Sequence, residues 1–300
     1  MKKSILSTLL GIGVLSGAFA AGTYTENFES YTTLNYSGGQ ASLNNGAVVY
    51  ATDSGKINLH SNGSPSWKAL RLAQDADGGT TSTYVVGAVE NPGTRANSFT
   101  ASFDLLLKNS TGVPADRFSF NFGNLTGSFP RDGESGLWSS GQTGSMLSLV
   151  WDFYENGSGD FFGSGGNGGV QLFKNGSLVS GSNVNNPVTI ASNLSGSFTR
   201  INVRYDEELN GGTLSLNTGG AVGAGNLITG GSNVLTLANL GVNFAAGDKF
   251  AFSAATGAAQ FDIFIDNVSI QSVPEPSAGA LLVLGLGSLI ALRRTRRSAV

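Results

Sequence analysis

The chain contains no cysteine. No disulfide supports it and no thiol chemistry is open to it. It has a single histidine, His60, which has no sequence partner for acid–base work and reads as a surface residue. Charged residues make up only 12% of the chain, a low share that fits a β-rich chain with many turns. No Gly-x-Ser-x-Gly elbow, Walker loop or His-rich metal motif occurs. Between Gly22 and Gln271 no stretch carries a convincing amphipathic helix pattern.

What the chain has is glycine, 44 residues of it, together with many Ser, Thr and Asn. That composition belongs to a β-rich chain with many turns. Ser98 to Leu105 and Phe118-Ser119-Phe120-Asn121-Phe122 alternate apolar and polar residues, which predicts strands with one buried face. Val170 to Lys174 and Ser177 to Val179 flank Asn175-Gly176, the sequence of a type I′ hairpin turn. Arg200 to Tyr205 is expected to pair with Thr213 to Leu216 across Asn210-Gly211-Gly212, and Phe261 to Ile270 supplies a last long strand. Many short strands joined by Gly-rich turns imply a sandwich or jelly roll.

The two ends differ from this middle. Met1-Lys2-Lys3 is basic, Ile5 to Leu15 is apolar, and Ala18-Phe19-Ala20 is a small-x-small cleavage pattern. Residues 1–20 therefore read as a Sec signal peptide, and export through the Sec machinery is expected. At the other end, Ala278 to Leu292 is uncharged and Arg293, Arg294, Arg296 and Arg297 follow it. The run is shorter than the ~20 residues of a full span, and the arginines favour a cytoplasmic C-terminus. Pro274 and Pro276 keep the segment before it extended. Apart from the six basic residues of these ends, the chain holds 11 basic against 20 acidic residues, Glu275 included, a net charge near −9. That excess argues against nucleic acid or an anionic lipid surface as partner.

The order Pro274-Glu275-Pro276, apolar run and arginine cluster resembles the PEP-CTERM sorting signal. The resemblance implies recognition and cleavage by an exosortase, with residues 278–292 at least transiently in the membrane. The expected division is 1–20 signal peptide, 21–271 ectodomain, and 272–300 sorting signal, with 293–300 as the basic tail. The expected destination is the cell envelope, the cell surface or the extracellular matrix.

Four segments of the ectodomain, in order, resemble the L-type (legume-type) lectins. Pro114-Ala115-Asp116-Arg117-Phe118-Ser119-Phe120 is similar to their Ala-Asp-Gly-x-Ala-Phe segment. Leu149 to Asn156, with Asp160 beyond, is similar to their metal-binding strand. Arg200 to Leu216 resembles their V-x-Y-D … T-L-S-V hairpin, and Phe252-Ser253-Ala254-Ala255-Thr256-Gly257 matches a loop of theirs residue for residue. The resemblance implies an all-β, concanavalin A-like jelly roll.

It also implies a site. One calcium ion would be held by Asp152, the Tyr154 carbonyl, Asn156 and Asp160, oxygen donors of the kind calcium takes. Asp152, Tyr154 and Asn156 share a face if their strand stays regular. The first Glu of the lectin pattern is Val150 here, so a second, transition-metal ion is not expected. The alternative is a solvated acidic turn over Asn156 to Asp160. Sugar hydroxyls would be gripped by Asp116 and Asn156, with Ala255, Thr256 and Gly257 as the specificity loop. Arg117 stands where the family has Gly, and it either blocks the pocket or pairs with Asp116.

Glucanases of this fold carry Glu-x-Asp-x-x-Glu on one strand, with carboxyls ~5–5.5 Å apart in retaining enzymes. This chain offers Val150-Trp151-Asp152-Phe153-Tyr154-Glu155, and valine is no nucleophile. Asp206-Glu207-Glu208 reads as a solvated turn. The expectation is a non-enzymatic surface or matrix protein that binds extracellular polysaccharide. The alternatives are a structural matrix sandwich without a sugar site and an atypical glycoside hydrolase.

Overall fold

The computed structural model describes residues 23–38, 40–51, 57–63, 66–74, 80–86, 98–108, 117–125, 146–153, 169–185, 188, 190–191, 197–222, 228–242, 248–256 and 262–272. All of them fall in one compact unit, Ala21–Val273. The expected signal peptide and the sorting residues Pro274, Glu275, Pro276, Arg293, Arg294, Arg296 and Arg297 lie outside them. Among the described residues no helix is long and apolar enough to cross a membrane.

The strands are β1 (Thr23–Glu26), β2 (Gln40–Ser42), β3 (Val48–Ala51), β4 (Leu59–Gly63), β5 (Ser66–Ala73), β6 (Thr80–Val86), β7 (Phe99–Lys108), β8 (Arg117–Gly123), β9 (Met146–Asp152) and β10 (Gly169–Lys174). They continue with β11 (Ser177–Leu178), β12 (Val184–Asn185), β13 (Ile190–Ala191), β14 (Thr199–Asp206), β15 (Thr213–Thr218), β16 (Ala221–Val222), β17 (Ile228–Thr229), β18 (Ser232–Leu237), β19 (Lys249–Thr256) and β20 (Asp262–Ser272). The one helical element among the described residues is a 3-10 turn, Leu209–Gly211.

Two large sheets result. The first runs β18-β15-β14-β7-β20-β5-β4, and the second β11-β10-β9-β8-β19-β6-β3-β2. Pairing is antiparallel except where the short β13 lies parallel to β7. β20 changes neighbour along its length. Ile263 and Ile265 pair with β5, whereas Val268 to Gln271 pair with β1. The change falls at a register shift between Asp266 and Ser269, where Asn267 adopts φ 47°. A bulge of this kind bends a strand away from one neighbour.

The core lies between the sheets. Phe103, Leu105 and Leu107 of β7, Ile201, Val203 and Tyr205 of β14, and Ile263, Ile265 and Ile270 of β20 face it from the first sheet. Phe118, Phe120 and Phe122 of β8, Leu149 and Trp151 of β9, and Phe250 and Phe252 of β19 face it from the second. Aromatic contacts clamp the layers together. Phe99 lies 4.6 Å from Phe122 and 4.8 Å from Phe250, both edge-on, and Phe103 lies 5.0 Å from Phe252. Such pairs add ~0.5–1.5 kcal/mol each beyond the area they bury.

The expected hairpins are present. β10 and β11 pair through Lys174↔Ser177, with Asn175 and Gly176 at φ 50° and 78°. β14 and β15 pair from Asp206↔Thr213 to Ile201↔Thr218. One expectation needs correction. Alternation predicts one buried face for β8, yet all seven of its residues are buried. The pattern marks which side chains enter the core, not which meet water. The other face carries short polar groups that are only partly paired: the Asn121 amide donates to Ser119 Oγ at 2.9 Å and to the Ala251 carbonyl at 3.3 Å.

Candidate functional site

Three strands of the second sheet meet at one edge. β8 begins at Arg117, β9 ends at Asp152, and β19 ends at Thr256. Their register aligns them: Asp152 is opposite Arg117, Arg117 opposite Ala255, and Gly169 of β10 opposite Asp152. A row Gly169–Asp152–Arg117–Ala255 therefore crosses four strands. Side chains alternate along a strand. Phe118, Trp151 and Ala254 enter the core, so this row lies on the sheet's opposite face.

The row carries one anion and one cation. Arg117 Nη2 lies 3.0 Å from Asp152 Oδ2, with the two side chains only 10% and 5% exposed. Asp116, which the sequence also offers to Arg117, lies outside the described residues. The next rows inward are polar and buried. Thr83 and Ser253 hydroxyls lie 3.0 Å apart. Asn121 and Ser148 face each other across β8 and β9, and Asn121 Oδ1 and Ser148 Oγ are buried without a hydrogen-bond partner. Val150 sits on this same face, two residues before Asp152, and is buried.

One placement is corrected here. Ala255 and Thr256 are not loop residues. They are the last two residues of β19, each about 5% exposed, and their backbones pair with β6 through Ala255↔Thr81 and Thr256↔Thr80. The alternation of Phe252 and Ala254 inward with Ser253 and Ala255 outward suits a strand, and strands on both sides fix it as one. Of the expected specificity loop only Gly257 lies beyond the strand, outside the described residues. β9 is described as far as Asp152, and Phe153 lies in the core as alternation after Trp151 requires. Asp116, Tyr154, Asn156 and Asp160 lie outside the described residues, as does Glu155.

Of the four residues expected to hold calcium only Asp152 is described; Tyr154, Asn156 and Asp160 lie outside the described residues. Calcium takes six to eight oxygens. The row offers one carboxylate, and a guanidinium already holds it. Gly169 and Ala255, on either side, bring no side-chain oxygen.

The other residues singled out by sequence have structural surroundings. His60 is half-buried, 5.4 Å from the Phe264 ring and 5.7 Å from the Trp67 ring, rather than a bare surface residue. Burial, then the charges of Arg71 and Lys108, push its pKa below 6.5. Asp206 closes the turn after β14: its Oδ1 accepts the Leu209 N–H at 3.2 Å, and its Oδ2 accepts from Arg204 at 3.0 Å.

Sequence reading missed a polar cluster at the β20 bulge. The Arg200 guanidinium donates to both oxygens of Asp104. The Asn267 amide donates to Asp104 Oδ2 at 2.8 Å and to Asp266 Oδ2 at 3.3 Å. Asp266 lies directly opposite Asp104 in the ladder. Burial, and then the Asp104 and Glu29 charges, raise the Asp266 pKa to about 7, against the pull of the Asn267 N–H and Arg200. Asn267, Arg200 and Glu26 also line an open groove of about 380 Å³. The only sequence signal was the Asp266-Asn267 pair inside an otherwise alternating strand.

No family model matches the sequence, and no curated protein matches it. Solved structures do match. The peanut lectin, solved with a nine-residue peptide, superposes with a TM-score of 0.51 at 17% identity, over 83% of this chain and 97% of its own. The fold is that of the L-type lectins. Lectin I-B4 of Griffonia simplicifolia, in a metal-free form, gives 0.52 at 14% identity over 83% and 98%. Lectin UEA-II, complexed with galactose, gives 0.52 at 12% identity over 83% and 97%. At these identities the likeness is one of fold, the concanavalin A-like sandwich of two facing sheets.

Proposed function

We propose that this is an exported, non-enzymatic cell-surface or matrix protein that binds extracellular polysaccharide at the edge where β8, β9 and β19 meet. The carrying observation is that common edge. Arg117, Asp152 and Ala255 stand in one row, and in the sequence Asp116 immediately precedes Arg117, Asn156 follows Asp152 by four residues, and Gly257 follows Ala255 by two. A short carboxylate and a short amide are suited to vicinal hydroxyls, which donate to one and bond both ways with the other. Lectins of this fold solved with galactose and with GalNAc make a hexose the first sugar to try.

A calcium ion on Asp152, Tyr154, Asn156 and Asp160 would have to share Asp152 with Arg117. Export rests on the two ends of the sequence: the signal-peptide pattern of 1–20 and the PEP-CTERM-like tail, which would engage an exosortase. The test is a polysaccharide and glycan-array screen of the protein, followed by Asp116→Ala and Asn156→Ala. Binding that both variants lose while melting as the wild type does supports the reading. Absence of binding to every glycan favours the second reading, a structural matrix sandwich, which the filled, charge-neutral Arg117–Asp152 row independently suggests.

A further inference from the structure

We propose that the groove at the β20 bulge is a second binding site, on the outer face of the other sheet, and that it takes a neutral polyhydroxylated ligand, a single sugar residue or a disaccharide. The groove measures about 380 Å³, at the small end of the ~300–1,000 Å³ of ligand sites. It opens where β20 gives up β5 and takes β1 as its neighbour. Phe103 and Leu105 enter the core on either side of Asp104, and Val268 and Ile270 on either side of Ser269. Asp104 and Ser269 therefore stand on the outer face of the first sheet. Thr25 is directly opposite Ser269, and Asn27, Asn267 and Arg200 line the groove with them.

The polar groups here are set before any ligand arrives. The Arg200 guanidinium donates to both oxygens of Asp104, with Nη2 at 2.9 Å. The Asn267 amide donates to Asp104 Oδ2 at 2.8 Å and to Asp266 Oδ2 at 3.3 Å, and the bulge holds its backbone at φ 47°. A side chain already fixed by its neighbours loses little freedom on binding, which favours affinity. With its nitrogen committed to the two carboxyl groups, the Asn267 amide keeps its oxygen for a ligand hydroxyl. Charge then selects the ligand. Glu26 also lines the groove, and its carboxylate accepts from the Phe28 N–H at 2.8 Å and the Tyr31 hydroxyl at 3.1 Å. Glu29 and Asp104 both act on Asp266. Against these four carboxyl groups the described residues set Arg200, paired with Asp104, and Lys68, whose ammonium lies on the Glu29 and Tyr31 carbonyls. The balance stays negative even with Asp266 protonated, so an anion is disfavoured. A cation would have to compete with Arg200 for Asp104. Hydroxyls that both donate and accept match the short side chains of Thr25, Asn27, Asn267 and Ser269.

This inference does not rest on the edge where β8, β9 and β19 meet, and its test separates the two. Amide NMR signals of the nitrogen-labelled full chain are followed during sugar titrations. Galactose, mannose and N-acetylglucosamine are the neutral probes, galacturonate and glucosamine the charged ones. The Asn267 side-chain signal is the one missing in Asn267→Gly, a change that keeps the left-handed backbone and removes the amide. A saturable shift of that signal with a neutral sugar is expected. Asn267→Gly and Ser269→Ala should each weaken binding about fivefold or more. No saturable shift with any neutral probe overturns the proposal, as does tighter binding of either charged probe. Binding that Asn267→Gly leaves unchanged puts the sugar elsewhere and also overturns it. Should Asn267→Gly not fold, the double variant Thr25→Ala, Ser269→Ala decides: weaker binding is expected, and unchanged binding sinks the idea. Asp116→Ala combined with Asn156→Ala removes the edge residues alone. Groove shifts that persist in it support this inference even where the polysaccharide reading has failed. Shifts that vanish in it mean that the sugar sits at the edge, and the groove is then no site.

Discussion

The Tyr205 hydroxyl stands 2.5 Å from the position a Cβ on Gly212 would take. That hydroxyl donates to the Val242 carbonyl at 2.8 Å within the core. Burial pushes its pKa up to about 12, so it remains a donor through the alkaline range. One tyrosine thus ties β14 to the segment after β18, and the glycine after the 3-10 turn leaves room for it.

Gly212→Ala is expected to destabilise the protein by about 2–4 kcal/mol. Gly212 has φ 91°, which disfavours any side chain, and the added methyl would collide with a fixed hydroxyl. Tyr205→Phe alone should cost about 1–2 kcal/mol for the stranded carbonyl. The double variant should cost less than the sum, because removing the hydroxyl relieves the collision. Urea denaturation of the three variants measures this, and strict additivity would contradict the geometry.

Asp266 gives stability a pH signature. Its folded pKa, about 7, lies above its ordinary 3.8, so between those values the folded state holds more protons than the unfolded one. Its contribution is then fully present at low pH and is lost as pH rises through about 7. Asp266→Asn mimics the protonated form. Its melting temperature should match the wild type near pH 4 and exceed it increasingly up to pH 8. A constant difference across that range would show that Asp266 does not titrate there.

Asn175 has two roles in its hairpin. It accepts the left-handed conformation, φ 50°, and its side-chain oxygen accepts the Met146 N–H at 2.9 Å, tying the turn to the start of β9. Asn175→Gly keeps the first role and loses the second, at a cost of about 1 kcal/mol. Asn175→Ala loses both and should cost about 1 kcal/mol more. Equal losses in denaturant titrations would mean that the turn conformation carries no penalty.

Local features of the fold were legible in the sequence, and distant ones were not. The phenylalanine spacing of β8, the Asn175-Gly176 turn and the β14–β15 hairpin are short-range patterns, and each stands where the residues indicated. The pairing of β7 with β20 joins residues more than 150 positions apart, and no local pattern encodes it. For the same reason one partner of Arg117 was missed: Asp152 becomes its neighbour only through the β8–β9 register. The lectin resemblance implies a loop at Ala255 and Thr256, and small residues carry little strand signal of their own to oppose it. Pairing with β6 and β8 decides the matter, and it is set by the sheet rather than by the segment.

The place of β20 has a consequence for how the chain is made. It is the last strand among the described residues, yet it lies inside the first sheet, beside β7, with β5 and β1 sharing its other edge. A ribosome delivers it after every strand it must join. A fragment lacking residues 262–272 leaves β7 and β5 without the strand between them, so the first sheet closes only once this late segment has been made. Long-range pairing is slow to form, and here it waits on one late strand.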